Sequence, residues 1–197
     1  MHHPPDTLHA RKRRKARAMI VSAAFQLFAE HGFDNVTVAA IAERAEVGRT
    51  TFFRYFGDKQ QVLFADDSAE VERMCAYVRD KADRSLGTDL AATLALLREA
   101  GAVTRPYASL SPAHSAVLVR LLRESVDLRS RYLLTRQQRA LRLAAALVEA
   151  GTEESTAVLA AHAAMACELT AMKLADSPDA YPHRMDEAHR MLRSLGG

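Results

Sequence analysis

An all-α fold is predicted, and three observations predict it. Apolar residues recur at helical spacing through most of the chain, no stretch of useful length alternates in the two-residue period of a strand, and Gly, Pro, Ser, Thr and Asp punctuate the places where helices stop and start. A hydrophobic content of 49% over 197 residues is ample for one core, or for a small domain plus a larger one. About nine helices are expected.

In chain order, residues 1–10 hold two prolines and read as a flexible N-terminal arm. Arg11 to Arg17 then carry six basic side chains, and from Met19 the positions Ile20, Ala24, Leu27 and Phe28 follow helical spacing to a stop at Gly32. A basic cluster at a helix N-terminus repels itself and opposes the macrodipole, so an anionic partner would relieve both costs. Thr37 is the expected N-cap of helix two (about Val38 to Arg44), with Val36 and Ile41 as its hydrophobic staple. A turn over Ala45 to Gly48 leads to helix three, about Arg49 to Phe56, with Gly48 suiting both turn and cap. Asp58, paired with Gln61, caps a fourth helix running to about Lys81 with the stripe Val71, Met74, Cys75 and Val78. Gly87-Thr88 is read as a stop and a cap before helix five (about Asp89 to Val103), and a break follows around Arg105 to Pro112. Helix six covers about Ala113 to Ser125 and helix seven about Leu128 to Ala150. Thr152 is the expected cap of helix eight, which runs to about Asp176, and helix nine spans about Pro182 to Leu195. The chain accordingly divides into a flexible arm (1–10), an N-terminal helical domain (11–58) and a longer helical domain (59–197).

Charge is unevenly placed. Residues 1–59 hold ten Lys/Arg against six Asp/Glu, and 60–197 hold 17 against 18, so the basic excess is N-terminal. Cys75 and Cys167 have no CxxC neighbour and read as apolar packing residues in a reducing compartment. No apolar run is read as approaching the roughly 18 residues of a membrane span, and the N-terminus lacks the apolar region of a signal peptide, so the expectation is a cytoplasmic protein with no membrane role. There is no HExxH or clustered His/Cys spacing, Gly-rich phosphate loop or GxSxG, so no metal, cofactor or enzymatic activity is expected.

The stretch Val36 to Lys59, VTVAAIAERAEVGRTTFFRYFGDK, speaks most directly to function. Two short helices across a four-residue turn have the spacing of a helix-turn-helix. Phe52 and Phe56 lie at i, i+4 and can face a core, which puts Arg49, Thr50 and Phe53 on the opposite side. An arginine, a hydroxyl and an apolar ring on one exposed face can read base edges, phosphates and thymine methyls.

Residues 14–63, from AAFQLFAEHGFDNVTVAAIAERAEVG through RTTFFRYFGDKQQVL, resemble the N-terminal DNA-binding domain of TetR-family transcriptional regulators. The phrase TTFFRYF followed by KxxVLF is also similar to the branch containing mycofactocin-associated actinobacterial regulators. The resemblance implies an all-helical homodimer of about nine helices per subunit. It further implies a C-terminal region that binds a small effector, and repression of neighbouring genes until that effector arrives. Carried over by position, it implies that Thr37 is a phosphate-binding cap and that Arg49, Thr50 and Thr51 open the recognition helix. Tyr55 and Lys59 become phosphate contacts. Phe53 stands where tyrosine is commonest, so ring contact with a thymine methyl or sugar replaces a hydroxyl. Gly48 stands where serine is frequent, which puts one capping bond in doubt. Arg13 and Arg14, from the basic run, complete the expected DNA-binding set.

A two-turn recognition helix is only about 10 Å long, so a dimer on a pseudo-palindromic operator is expected. Helix eight offers one apolar stripe through Val158, Ala161, Met165, Leu169 and Met172 and another through Leu159, Ala163, Ala166 and Thr170. The resemblance places dimerisation on helices eight and nine, with Val158, Ala161, His162, Met165, Leu169, Met172, Met185 and Leu192 as interface residues. An effector cavity is expected among helices four to eight, near Met74, Tyr77, Leu94, Leu97, Tyr107, His114 and Leu118. Their mostly apolar character favours a lipophilic or acyl-type ligand. Two competing classes are an all-helical small-molecule-binding protein or enzyme with no DNA role, and an effector-independent DNA-binding protein. The first lacks a catalytic motif, and the second leaves most of the C-terminal region without a task.

Overall fold

The computed structural model describes residues 8–65, 67–81, 86–104, 112–175, 177 and 180–194. Among them ten α-helices occur in the order α1 (Leu8–His31), α2 (Val38–Arg44), α3 (Arg49–Tyr55), α4 (Lys59–Leu63), α5 (Asp67–Lys81), α6 (Leu90–Thr104), α7 (Pro112–Glu124), α8 (Val126–Glu149), α9 (Glu154–Leu174) and α10 (Tyr181–Ser194). No strand is present among the described residues, so the all-α class is observed. The chain divides into two compact units after Ala65.

In the N-terminal unit, α1 supplies Ile20, Val21, Ala24, Phe25 and Phe28, all 2% exposed or less. The helix begins at Leu8, so residues 8–10 belong to it rather than to an arm, while residues 1–7 lie outside the described set. It ends where Gly32, at φ +75°, returns its N–H to the Phe28 carbonyl at 3.1 Å, a left-handed cap that glycine adopts without a Cβ penalty. Val36 and Ile41 are both buried as the staple requires. Glu30 and Arg44 form a two-armed pair at 3.2 and 3.0 Å that ties α1 to α2, and the bond to Arg44 holds the Glu30 carboxyl below the usual carboxylate range.

Two sequence expectations about this unit are corrected. The expected fourth helix is two: α4 stops at Leu63, and α5 begins at Asp67. The Ala65 carbonyl, which a continuous helix would use internally, accepts instead from the Arg17 guanidinium of α1, and the unit boundary accordingly falls after Ala65 rather than after residue 58. Gly48 is the N-cap of α3 as expected, with extended backbone at φ −69°, and the left-handed residue of the α2–α3 turn is Glu46, at φ 54°.

In the C-terminal unit one buried cluster joins α5 (Val71, Met74, Cys75, Val78), α6 (Leu94, Leu96, Leu97, Ala100), α8 (Ala140, Leu143, Ala144, Ala146, Leu147) and α9 (Ala157, Ala160, Ala161). A second holds Cys167 and Ala171 of α9 against Met185 and Ala188 of α10. Both cysteines are buried and free, and burial pushes the Cys167 thiol up to about 11. A charged layer crosses this core: Arg139, 6% exposed at its side chain, reaches Glu70 of α5 at 3.1 Å and Glu168 of α9 at 3.2 Å, and Arg136 reaches Glu168 at 3.5 Å. Carboxylate partners on two helices, α5 and α9, offset the desolvation of Arg139 and fix the register of both against α8.

Helix starts here are set by Asp89, Ser125 and Glu153, whose side chains accept from Ala92, Leu128 and Thr156 N–H at 2.9, 3.3 and 3.1 Å. Asp89 therefore replaces the expected Thr88 cap, and Glu153 replaces Thr152, which is 3% exposed and packed inside. Bonds from the Ser155 hydroxyl and the Thr156 amide hold the Glu153 carboxyl below the usual range.

α9 corrects two further expectations. Its 21 residues are long and apolar enough to cross a membrane by length and composition alone, with 28% of the apolar window buried; alanines spread through polar positions raise the average without making an uninterrupted run. Ala161 and Met185, expected at a dimer interface, are 1% and 7% exposed and belong to the intramolecular clusters, and Met165 leans on the first of them. The face left open is Val158 and Leu159, at 38% and 55% exposure, with Ala166 and Thr170.

A non-glycine residue in the left-handed region costs about 1 kcal/mol or more. Glu46→Gly is expected to raise the stability of the N-terminal unit by about 0.5–1 kcal/mol, whereas Gly48→Ala, already at an ordinary φ, should not stabilise through the turn; denaturant midpoints of the two variants check this.

Candidate nucleic-acid interface

The site is built on α2 and α3. Thr37 is exposed at the N-cap of α2, with extended backbone, and its Oγ1 accepts from Ala40 N–H at 3.1 Å. α3 has no side-chain cap, because its N-cap is Gly48. What holds α3 is packing: Phe52 and Phe56 are 0% and 3% exposed, with ring centroids 5.8 Å apart. That anchor sets the rotation of the helix. Arg49, Thr50 and Arg54 come out exposed, Thr51 and Tyr55 half-buried, and the Phe53 ring stands 51% exposed beside Phe52 at 5.5 Å. Half of the Phe53 ring is covered by its edge-on contact with Phe52, and the open half stands beside side chains that supply hydrogen-bond donors.

The remaining expected contacts are placed as follows. Arg13 and Arg14 are exposed on the N-terminal part of α1, beside exposed Arg11, Lys12 and Lys15. Tyr55 lies under the Arg54 guanidinium, 5.1 Å from the ring centroid, a partner not identified from the sequence although the two are adjacent. Lys59 is bonded within the protein. Its Nζ donates to the carbonyls of Phe33, Val36 and Asp34 at 2.8, 2.9 and 3.3 Å and sits 4.4 Å from the Phe33 ring centroid. An ammonium has three protons, and these three carbonyls take them. Asp58 does cap α4, accepting from Gln61 N–H at 2.7 Å, while Gln61 Oε1 accepts from Gly57 N–H at 2.8 Å.

Residues 20–65 match the family model described as bacterial regulatory proteins, tetR family. The match lies wholly within the N-terminal unit and covers about a quarter of the chain. Two curated relatives match in part: the HTH-type transcriptional regulator TcmR of Streptomyces glaucescens, 39% identical over 69 residues (35% of this chain, 30% of that protein), and the protein of Mycobacterium tuberculosis named as the mycofactocin biosynthesis transcriptional regulator MftR, 34% identical over 71 residues (36% of each chain). The match thus spans about a third of these relatives' length. Along the whole chain the fold is shared with a transcriptional regulator of the TerR/AcrR family from Aquifex aeolicus VF5, at a TM-score of 0.52 and 16% identity, over 91% of this chain and 99% of that one.

Of the expected effector-lining residues, Met74, Leu94 and Leu97 are core members, and Tyr77 packs at the core edge with its hydroxyl donating to Glu99 at 2.6 Å. Leu118 is buried and His114 half-buried on α7, and Tyr107 lies outside the described residues. A concavity among the described residues lies elsewhere, at the start of α9, lined by Glu153, Glu154, Ser155, Val158, Leu159 and His162. His162 Nδ1 is 2.9 Å from the Val158 carbonyl. This is the open face of α9.

The two adjacent phenylalanines of α3 should separate stability from recognition. Phe52→Ala, which empties a fully buried site, is expected to cost about 3–5 kcal/mol; Phe53→Ala should lower the stability of the N-terminal unit by no more than about 1.5 kcal/mol, the worth of its edge contact with Phe52. Calorimetry on the two variants measures the difference.

Proposed function

We propose that this chain is a sequence-specific DNA-binding transcriptional regulator, acting as a homodimer on a pseudo-palindromic operator in the cytoplasm. The observation that carries the proposal is the phase of α3: buried Phe52 and Phe56 present Arg49, Thr50 and Phe53 together on one outer face. Arg49 is the candidate for two-armed recognition of a guanine, Thr50 for a polar contact, and Phe53 for a thymine methyl. Exposed Arg13 and Arg14, with Thr37, Thr51 and Tyr55, anchor the phosphates. A seven-residue helix reads only a few bases, so two copies are required for a site of useful length.

The partner surface is the open face of α9, through Val158, Leu159, His162, Leu169 and Met172, extended on α10 by Leu192 and by Met191, which is 64% exposed. Small residues along it, such as Ala166, allow close helix approach. The sense of regulation that accords with the family resemblance is repression relieved by a small lipophilic effector. The C-terminal unit would take that effector near α7, where His114 and Leu118 lie. The chain has no enzymatic role in this scheme.

Selection of duplexes from a random-sequence library should return a pseudo-palindrome; recovery of no preferred sequence would reject sequence-specific binding. On the selected duplex, Arg49→Ala is expected to lose about 1–3 kcal/mol and to relax the preference at one position of each half-site. Neutralising Arg13 and Arg14 should instead weaken binding to all sequences and flatten the slope of log K against log salt by about 0.9 for each phosphate left without its cation. In sedimentation, Leu159→Glu should turn the dimer into a folded monomer, with the dissociation constant rising at least about tenfold; an unchanged dimer would move the interface off α9.

A further inference from the structure

Lys59 is the first residue of α4, yet what it holds lies in the loop between α1 and α2. Its ammonium gathers the carbonyls of Phe33, Asp34 and Val36, 23 to 26 residues away in sequence, and packs on the Phe33 ring. That ring in turn lies 5.1 Å from Phe28 of α1, so the clamp is seated on the hydrophobic core and does not drift with the loop. In a trans peptide the C=O and the following N–H point in opposite directions. Drawing the carbonyls of residues 33, 34 and 36 onto Lys59 therefore turns the N–H groups of Asp34, Asn35 and Thr37 to the side away from the ammonium. The same peptide planes deliver the chain to Thr37, whose extended backbone and side-chain bond to Ala40 start α2. α2 has only seven residues and cannot set its own direction, because so short a helix is held by its surroundings.

We propose that Lys59 is a positioning residue for DNA docking: its ammonium clamps the 33–36 carbonyls and so fixes the entry and orientation of α2 and its Thr37 cap, and it does not itself neutralise a phosphate. The proposal rests on the DNA-binding role argued above. Lysine suits the task because its three protons diverge from one small centre. Arginine's planar fork cannot point at three converging carbonyls, although it would serve as well as lysine at a phosphate.

The test uses the full chain with Lys59→Met and Lys59→Arg, a duplex selected by the parent protein from a random-sequence library, and a mixed-sequence duplex of equal length. Titrations span about 50 to 200 mM salt, below the melting temperature of every variant. Both variants are expected to bind the selected duplex roughly tenfold or more weakly, with the parent's salt slope, and the amides of residues 34–40 should exchange faster in the absence of DNA. If Lys59→Arg binds as the parent does and Lys59→Met flattens the slope by about 0.9, Lys59 is a phosphate contact and the proposal fails. It fails equally if both variants melt earlier but, while folded, bind with full affinity, since the lysine is then merely structural. Should Lys59→Met not fold, Phe33→Leu, which keeps the lysine and removes the ring beneath it, is expected to show the same pattern more weakly, and unchanged affinity and exchange there overturn the proposal. If the parent selects no duplex, the DNA-binding role falls and the positioning proposal with it, while the exchange measurement still decides whether the clamp orders the loop.

Discussion

A helix of seven residues does not stand alone in water, since nucleation costs more than so few hydrogen bonds return. α3 is such a helix, and the burial of Phe52 and Phe56 is what makes it a helix of fixed rotation. The dependence is sharpened by what α3 lacks: Gly48 offers no capping side chain, and the preceding turn holds Glu46 in the left-handed region. Packing must therefore offset a missing cap and a strained turn. In return, two rings one turn apart determine everything that points outward, and the outer face of α3 is a by-product of the core.

The parts of the fold that were legible in the sequence are those settled within a few residues. The Thr37 cap, the Asp58–Gln61 pair, the Val36–Ile41 staple and the inward phase of Phe52 and Phe56 each depend on side chains no more than about one helical turn apart, and each is present. The parts that were not legible depend on distant partners. α4 ends at Leu63, and the Ala65 carbonyl just beyond it meets Arg17, 48 positions away. The choice of Glu153 over Thr152 as a cap was open locally, since both residue types accept hydrogen bonds, and it was settled by Thr152 being buried. Glu46 carries no signal at all for a left-handed turn, and the nearby Gly48 drew that role on grounds of propensity.

α9 shows a different limit of pattern reading. Its alanines and leucines are distributed so widely that every face is apolar enough to be buried, and two stripes could be drawn with equal ease. The structure divides them by charge. Glu168 must meet Arg136 and Arg139 of α8, which turns Ala157, Ala160, Ala161 and Cys167 inward and leaves Val158 and Leu159 outside. An open apolar strip on such a helix is costly in water, and the proposed dimer would cover it.

Positive charge in the N-terminal unit likewise divides into two kinds that composition cannot separate. Arg17 and Lys59 are half-buried and bonded to backbone carbonyls, and Arg44, though exposed, is paired with the Glu30 carboxylate. Arg11 to Lys15, Arg49 and Arg54 stand exposed. The second kind is the better placed to exchange condensed counterions for phosphates, so the electrostatic reach of the proposed DNA contact is smaller than ten Lys/Arg in residues 1–59 would suggest. In the proposed scheme the bonded cations are not idle, however. A phosphate contact adds affinity at one point, whereas a brace that orients a short helix acts on every contact that helix makes, and removing it is felt at all of them together.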